Sequence, residues 1–162
     1  MLFTQNNLII PLTSGMVSCT ANLELDSFNM RGYDHATIIL QINSAFGTAV
    51  SAPELTLECA SSDSGDQADA TFHYRINGAS TVGASADVLA ADATASTLSL
   101  TGSTYAGHML ILELDADELP TASKTYEWVT VDIGANSSVG AIEGYAILSN
   151  PRYADSVMNS AI

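Results

Sequence analysis

Residues 108–153 hold three strand-like runs in close succession: HMLILELDA (108–116), YEWVTVDIG (126–134) and GAIEGYAILSNPRY (140–153). The first centres on Met109-Leu110-Ile111-Leu112-Glu113-Leu114, an apolar run too short for a helix and preceded by Gly107. The second carries Trp128, Val129, Val131 and Ile133, strand-forming residues that stop at Gly134 and Asn136. The third closes on Asn150-Pro151, where the missing backbone donor of Pro ends a ladder. Three such runs separated by turn residues read as an antiparallel meander at the centre of the fold.

The same chemistry continues upstream. In GMVSCTANLELD (15–26), Val17, Cys19, Ala21, Leu23 and Leu25 alternate with polar residues, the period of a half-buried strand. Residues 35–43 (HATIILQIN) form a β-branched run, and ELTLECA (54–60) alternates again. TFHYRI (71–76) ends at Asn77-Gly78, a strong turn signal. Residues 79–96 are rich in Ala, Ser, Thr and Gly, and TLSLT (97–101) resumes the strand pattern. The expectation is an all-β protein: an antiparallel, jelly-roll-like β-sandwich of roughly eight to ten short strands with little helix. Residues 1–14 read as an N-terminal arm or edge strand, 15–153 as one sandwich domain and 154–162 as a tail. The acidic stretch Asp115 to Leu119 fits one turn before Pro120.

A chain of 162 residues is one domain by size and long enough to bury a core without staples. Eighteen acids against four bases give a net charge of −14. Arg31, Arg75, Lys124 and Arg152 are scattered, so the basic stripe that phosphate binding needs is missing. Neither direct nucleic-acid binding nor an anionic membrane partner is expected. The first fifteen residues lack a basic segment followed by a signal-length apolar run, and no run approaches a membrane span. Cys19 and Cys59 read as buried free thiols, although spacing alone does not decide whether they are oxidised.

Chemistry-bearing motifs are sparse. His35, His73 and His108 each lie at or in a strand run, none at metal-ligand spacing, and read as satisfied strand histidines. Asp63, Asp66 and Asp69, and separately Asp115, Asp117 and Glu118, are acid clusters able in principle to take Ca²⁺. Neither follows an EF-hand pattern, and solvated loop acids explain both. Trp128, in mid-strand, reads as a core residue. No nucleophile elbow, phosphate loop or dinucleotide fingerprint occurs. No catalytic residue, metal or cofactor is therefore expected. The apolar ends, Leu2, Phe3, Leu8, Ile9, Ile10 and Leu12 with Val157, Met158 and Ile162, are the candidate intersubunit contacts. Two readings fit the first group equally: an edge strand on its own domain, or a strand added to a neighbour's sheet.

Met109 to Leu119 with its acidic step, the aromatic-Val strand Tyr126 to Val131, and Ala141 to Tyr153 closing on Pro151-Arg152-Tyr153 together resemble small virion proteins of tailed bacteriophages. Gly32 to Leu40, a turn followed by His-Ala-Thr and an apolar strand, is similar to the same group. The resemblance spans about two-thirds of the chain. It implies a capsid decoration, or cement, protein. Such a protein would bind the major capsid protein outside an assembled head and associate with itself as a dimer or trimer. Other phage parts share sandwich folds, so a head–tail adaptor, tail or receptor-binding module is an alternative. A carbohydrate-binding or hydrolytic jelly roll is another.

Overall fold

The computed structural model describes residues 3–43, 52–63, 67–78, 88–121, 124–135 and 140–152. It contains thirteen strands: β1 (Leu8–Pro11), β2 (Val17–Ser18), β3 (Leu23–Glu24), β4 (Phe28–Asn29), β5 (Tyr33–Ile42), β6 (Glu54–Ala60), β7 (Gln67–Asp69), β8 (Phe72–Ile76), β9 (Ala93–Ala95), β10 (Thr97–Ser99), β11 (Met109–Asp115), β12 (Trp128–Ile133) and β13 (Ala141–Pro151). The count exceeds the sequence expectation because six of these are pieces of two or three residues. A 3₁₀ turn (Phe3–Gln5) and one helical turn, α1 (Gly102–Tyr105), complete the described elements.

The strands form two antiparallel sheets, as expected of an all-β sandwich. One runs β1-β13-β5-β11-β8-β9 with β2 beside β13; the other runs β10-β6-β12-β3, with β4 beside β12 and β7 beside β6. Four pairings are nested along the chain: β1 with β13, β3 and β4 with β12, β5 with β11, and β6 with β10. Folding this nested ribbon over itself adds the contacts of β13 with β5 and of β12 with β6. That wrapping is the jelly-roll arrangement. Strands β7, β8 and β9 are an excursion between β6 and β10 that widens both sheets.

Two expectations are corrected. Strands β11, β12 and β13 do not form a meander: β11 and β13 lie in the seven-stranded sheet, separated by β5, and β12 lies in the other. Each finds its partner much earlier in the chain, so short connections cross between sheets. The run 15–26 is also not one strand. Val17-Ser18 pairs with β13 in one sheet, and Leu23-Glu24 pairs with β12 in the other. The chain bends over residues 20 and 21 between them, which leaves Ala21 exposed despite its place in the alternation. Asn77-Gly78, the turn signal, directly follows the end of β8. Asn77 bridges to Leu89, and its side-chain oxygen accepts from the Met109 amide at 2.6 Å.

The core lies between the sheets and follows the period of two. Ala36, Ile38, Leu40 and Ile42 of β5 and Leu110, Leu112 and Leu114 of β11 face inward from one layer. Leu55, Leu57 and Cys59 of β6 with Val129, Val131 and Ile133 of β12 face them from the other. Phe28, Met30 and Phe72 fill the remaining space. Gly144 permits one close approach: a Cβ there would lie 2.9 Å from Leu40 and 3.1 Å from Leu25. Cys19 and Cys59 are buried free thiols, and burial pushes their pKa values up to about 11 and about 12. Both are protonated and chemically quiet at neutral pH.

Because Leu112 is fully buried at the centre of this interface, Leu112→Ala is expected to lower stability by about 2–5 kcal/mol. Ile9→Ala, at a 47% exposed position, is expected to cost less than ~1 kcal/mol. Urea unfolding of the two variants, with unchanged m-values, checks the assignment.

Candidate functional site

Side chains that alternate away from the core meet as rows on the two outer sheet faces. On the seven-stranded sheet one row is Pro11, Tyr145, Ile39, Ile111 and Arg75, each directly opposite the next. The adjacent row is Ile9, Ile147, Thr37, Glu113 and His73. Glu143, Gln41 and Met109 make a third, and Ser149, His35 and Asp115 a fourth. The middle of this face is therefore a solvent-facing apolar patch of Ile9, Ile39, Met109, Ile111, Tyr145 and Ile147. Ile9 and Tyr145 remain 47% and 40% exposed. Monomeric proteins rarely leave a contiguous patch of this kind open without a use for it.

Polar groups rim the patch. Tyr145 donates its hydroxyl to Glu143 at 2.5 Å, and that carboxylate raises the Tyr145 pKa. At the other edge His73 Nδ1 lies 2.8 Å from Asp92, with Arg75 3.7 Å from the same carboxylate. The Asp92 hydrogen bond raises the His73 pKa, assisted by Glu118 and Glu113. His35 donates from Nδ1 to Asp115 at 2.6 Å, which leaves Nε2 beside the Thr37 hydroxyl at 3.2 Å. This chain of carboxylate, imidazole and hydroxyl has the order of a hydrolytic triad. However, Thr37 sits in the middle of β5, which is paired along both edges by β11 and β13. Its neighbouring backbone amides serve the ladder and do not form an oxyanion pocket. The chain acts as a cross-strand clamp. His108 donates to the Asn77 carbonyl at 2.9 Å, so each histidine has a partner.

The outer face of the six-stranded sheet has the opposite character. Its rows are Asn29, Trp128, Ala60 and Gln67; then Thr130, Glu58 and Asp69; then Glu24, Asp132, Thr56 and Thr97. Trp128 is thus not a core residue, contrary to the sequence expectation. It shares its face with Thr130 and Asp132 and is only partly buried. The parity was readable: Val129, Val131 and Ile133 claim the core, which turns Trp128 outward. Ser27 and Thr130 hydroxyls meet at 3.0 Å. Beside them runs a groove of about 610 Å³ lined by Glu24, Asp26, Ser27, Asp63, Gln67 and Thr130, among others. Burial raises the pKa of Glu58, as do Asp132, Asp69 and Glu24 around it. Burial does the same for Asp132, with Glu24 and Asp69 adding to it and the Ile133 amide opposing it.

Of the predicted contact residues, Leu8 and Ile10 are half-buried against the core and Leu12 is buried within it. Phe3 is 57% exposed and Ile9 borders the apolar patch. Strand β1 pairs with β13 of its own domain, and its other side is the end of the sheet among the described residues. Leu2, Val157, Met158 and Ile162 lie outside the described residues. Asp66 does too; Asp63 and Asp69 are described, and Asp69 belongs to β7 rather than a loop. Among the described residues no three acidic, His or Cys side chains are grouped to hold a metal. No helix there is long and apolar enough to cross a membrane. The patch and the groove were both missed in the sequence because the patch collects residues from four strands and the groove from three strands and two loops.

No protein-family model matches the chain, and no curated protein is significantly similar to it. Among solved structures it is similar to the crystal structure of the SPBc2 prophage-derived protein YomS. The sequence identity is 10% and the TM-score 0.49, over 88% of this chain and 93% of that one. A likeness at that level says nothing about the role of this chain.

The crowded carboxylates set a pH dependence. Folded pKa values of Glu58 and Asp132 lie above the ordinary range, so the folded state binds their protons more readily than the unfolded state. Their contribution to stability is present at acid pH and is lost as pH rises through the raised values. Asp132→Asn is expected to raise the Tm at pH 7 and to flatten the Tm profile between about pH 4 and 7. Calorimetry across that range reads both, and an unaltered profile would contradict the assignment.

Proposed function

We propose that this chain is a structural virion protein of a tailed phage, a capsid decoration (cement) protein with no catalytic role. The observation that carries this reading is the rimmed apolar face of the seven-stranded sheet. Five strands and the seven residues of β11 give it a footprint on the order of 550 Å². A stable interface needs about 800 Å² per partner, so the patch and its polar rim approach the required size. The sequence resemblance to small virion proteins supports the phage assignment.

In this reading the apolar face docks on the major capsid protein at capsomer junctions, on the outer surface of the head. Phe3 and the side of β1 that ends the sheet among the described residues contact neighbouring copies in a dimer or trimer. Neither nucleic acid nor membrane is a partner, in keeping with the charge of −14. A protein that binds only the assembled shell stabilises it by mass action. Repetition over a symmetric surface multiplies modest contacts by avidity.

Heads lacking the protein, mixed with the purified chain, provide the test. Wild type is expected to bind in hundreds of copies per head and to raise the temperature at which heads rupture. Ile9→Asp with Tyr145→Asp, both at exposed positions, is expected to stay folded and lose at least about tenfold in affinity, roughly 1.4 kcal/mol. Point substitutions are preferable to removing residues 1–12, since β1 is paired and Leu12 is core. Full occupancy by the double variant, or a native location at one vertex or along the tail, overturns the reading.

A further inference from the structure

We propose that the outer face of the six-stranded sheet binds a neutral saccharide, with Trp128 beside a groove lined by Ser27, Asp63, Gln67 and Thr130. The inference does not depend on what the seven-stranded sheet docks against. Trp128 lies directly across from Asn29 on β4 and Ala60 on β6, and Gln67 follows on β7. Trp128 is only partly buried on this face, and the flat apolar surface of an indole suits the C–H face of a pyranose ring. Two residues along β12, Thr130 opens the groove of about 610 Å³, room for more than one hexose unit.

The polar complement fits hydroxyl groups better than ions. Gln67 offers both a donor and an acceptor, the Ser27–Thr130 pair offers hydroxyls that work in either sense, and Asp63 offers acceptors. Glu58 and Asp132 are carboxylates crowded by other carboxylates. Sugar hydroxyls donate to such groups without adding like charge. Anionic sugars are disfavoured by the same crowding and by the net charge of −14. The described acids do not converge on a metal position, and one indole is not the aromatic cage that captures an organic cation.

Trp128 is the chain's one tryptophan, so its fluorescence reports on this face alone. The full chain is titrated with maltohexaose, cellohexaose, xylohexaose and mannohexaose, and in parallel with a hyaluronan hexasaccharide and spermidine. At least one neutral hexasaccharide is expected to change Trp128 emission saturably below about 10 mM, the weak regime of an open groove. Gln67→Ala and Asp63→Ala, both at exposed positions, are expected to weaken that binding roughly tenfold without lowering the Tm. Tyr145→Asp, on the opposite face, is expected to bind as wild type does. Silence toward all four neutral sugars overturns the proposal. So does a response confined to hyaluronan or spermidine, or binding that both groove variants retain in full.

Discussion

Strand β5 is the element on which the rest of the structure depends. It is paired along both edges, to β13 from Tyr33 to Ile42 and to β11 from His35 to Gln41. This satisfies its backbone groups in the interior of the sheet, where an unpaired group is costly. It also commits its side chains in two directions at once. Ala36, Ile38, Leu40 and Ile42 enter the core, and His35, Thr37, Ile39 and Gln41 face out. A slip of one residue would exchange the two sets, burying His35 and Gln41 and exposing four apolar side chains. The core therefore sets the register, and the register assembles the outer rows across five strands.

The same alternation gives the molecule two unlike outer faces. Isoleucines and Tyr145 collect on one, while Glu24, Glu58, Asp69 and Asp132 collect on the other. Like charges so placed repel and share a reduced hydration, which is why two of them hold protons more tightly than isolated acids do. The arrangement gives the sandwich a polarity that net charge alone does not describe. An approaching surface meets an apolar patch from one side and, from the other, a hydroxyl-and-carboxylate groove on the face that also carries Trp128. The clamp of Asp115, His35 and Thr37 and the cluster of Asp92, His73 and Arg75 belong to the first face and tie neighbouring strands together along its rim.

Some of this was legible in the sequence. A period of two over residues 54–60, a β-branched run at 35–43 and an apolar run at 109–114 identified strands, because alternation and strand propensity are local properties. Pro151 ended β13, and Asp115 to Glu118 made a turn closed by the Glu118 amide on the Asp115 carbonyl at 3.0 Å. Trp128 was misread although the outward parity was present in its neighbours. The run at 17–25 was misread because its alternation continues through a bend that only the need to join two sheets imposes.

By itself the sequence determined that the chain is a two-layered all-β protein, which residues of each long strand are apolar on one side, and that its net charge is −14. The tertiary structure decided which strands pair, that β11, β12 and β13 alternate between sheets, and which outward residues stand side by side. The reason is physical. Side-chain direction repeats every two residues and is written locally, whereas a strand's partner is chosen by competition among all apolar faces for burial against one another. Ile9, Ile39, Ile111 and Tyr145 come from four separate stretches, and only the nested pairing of β1 with β13 and β5 with β11 makes them one surface.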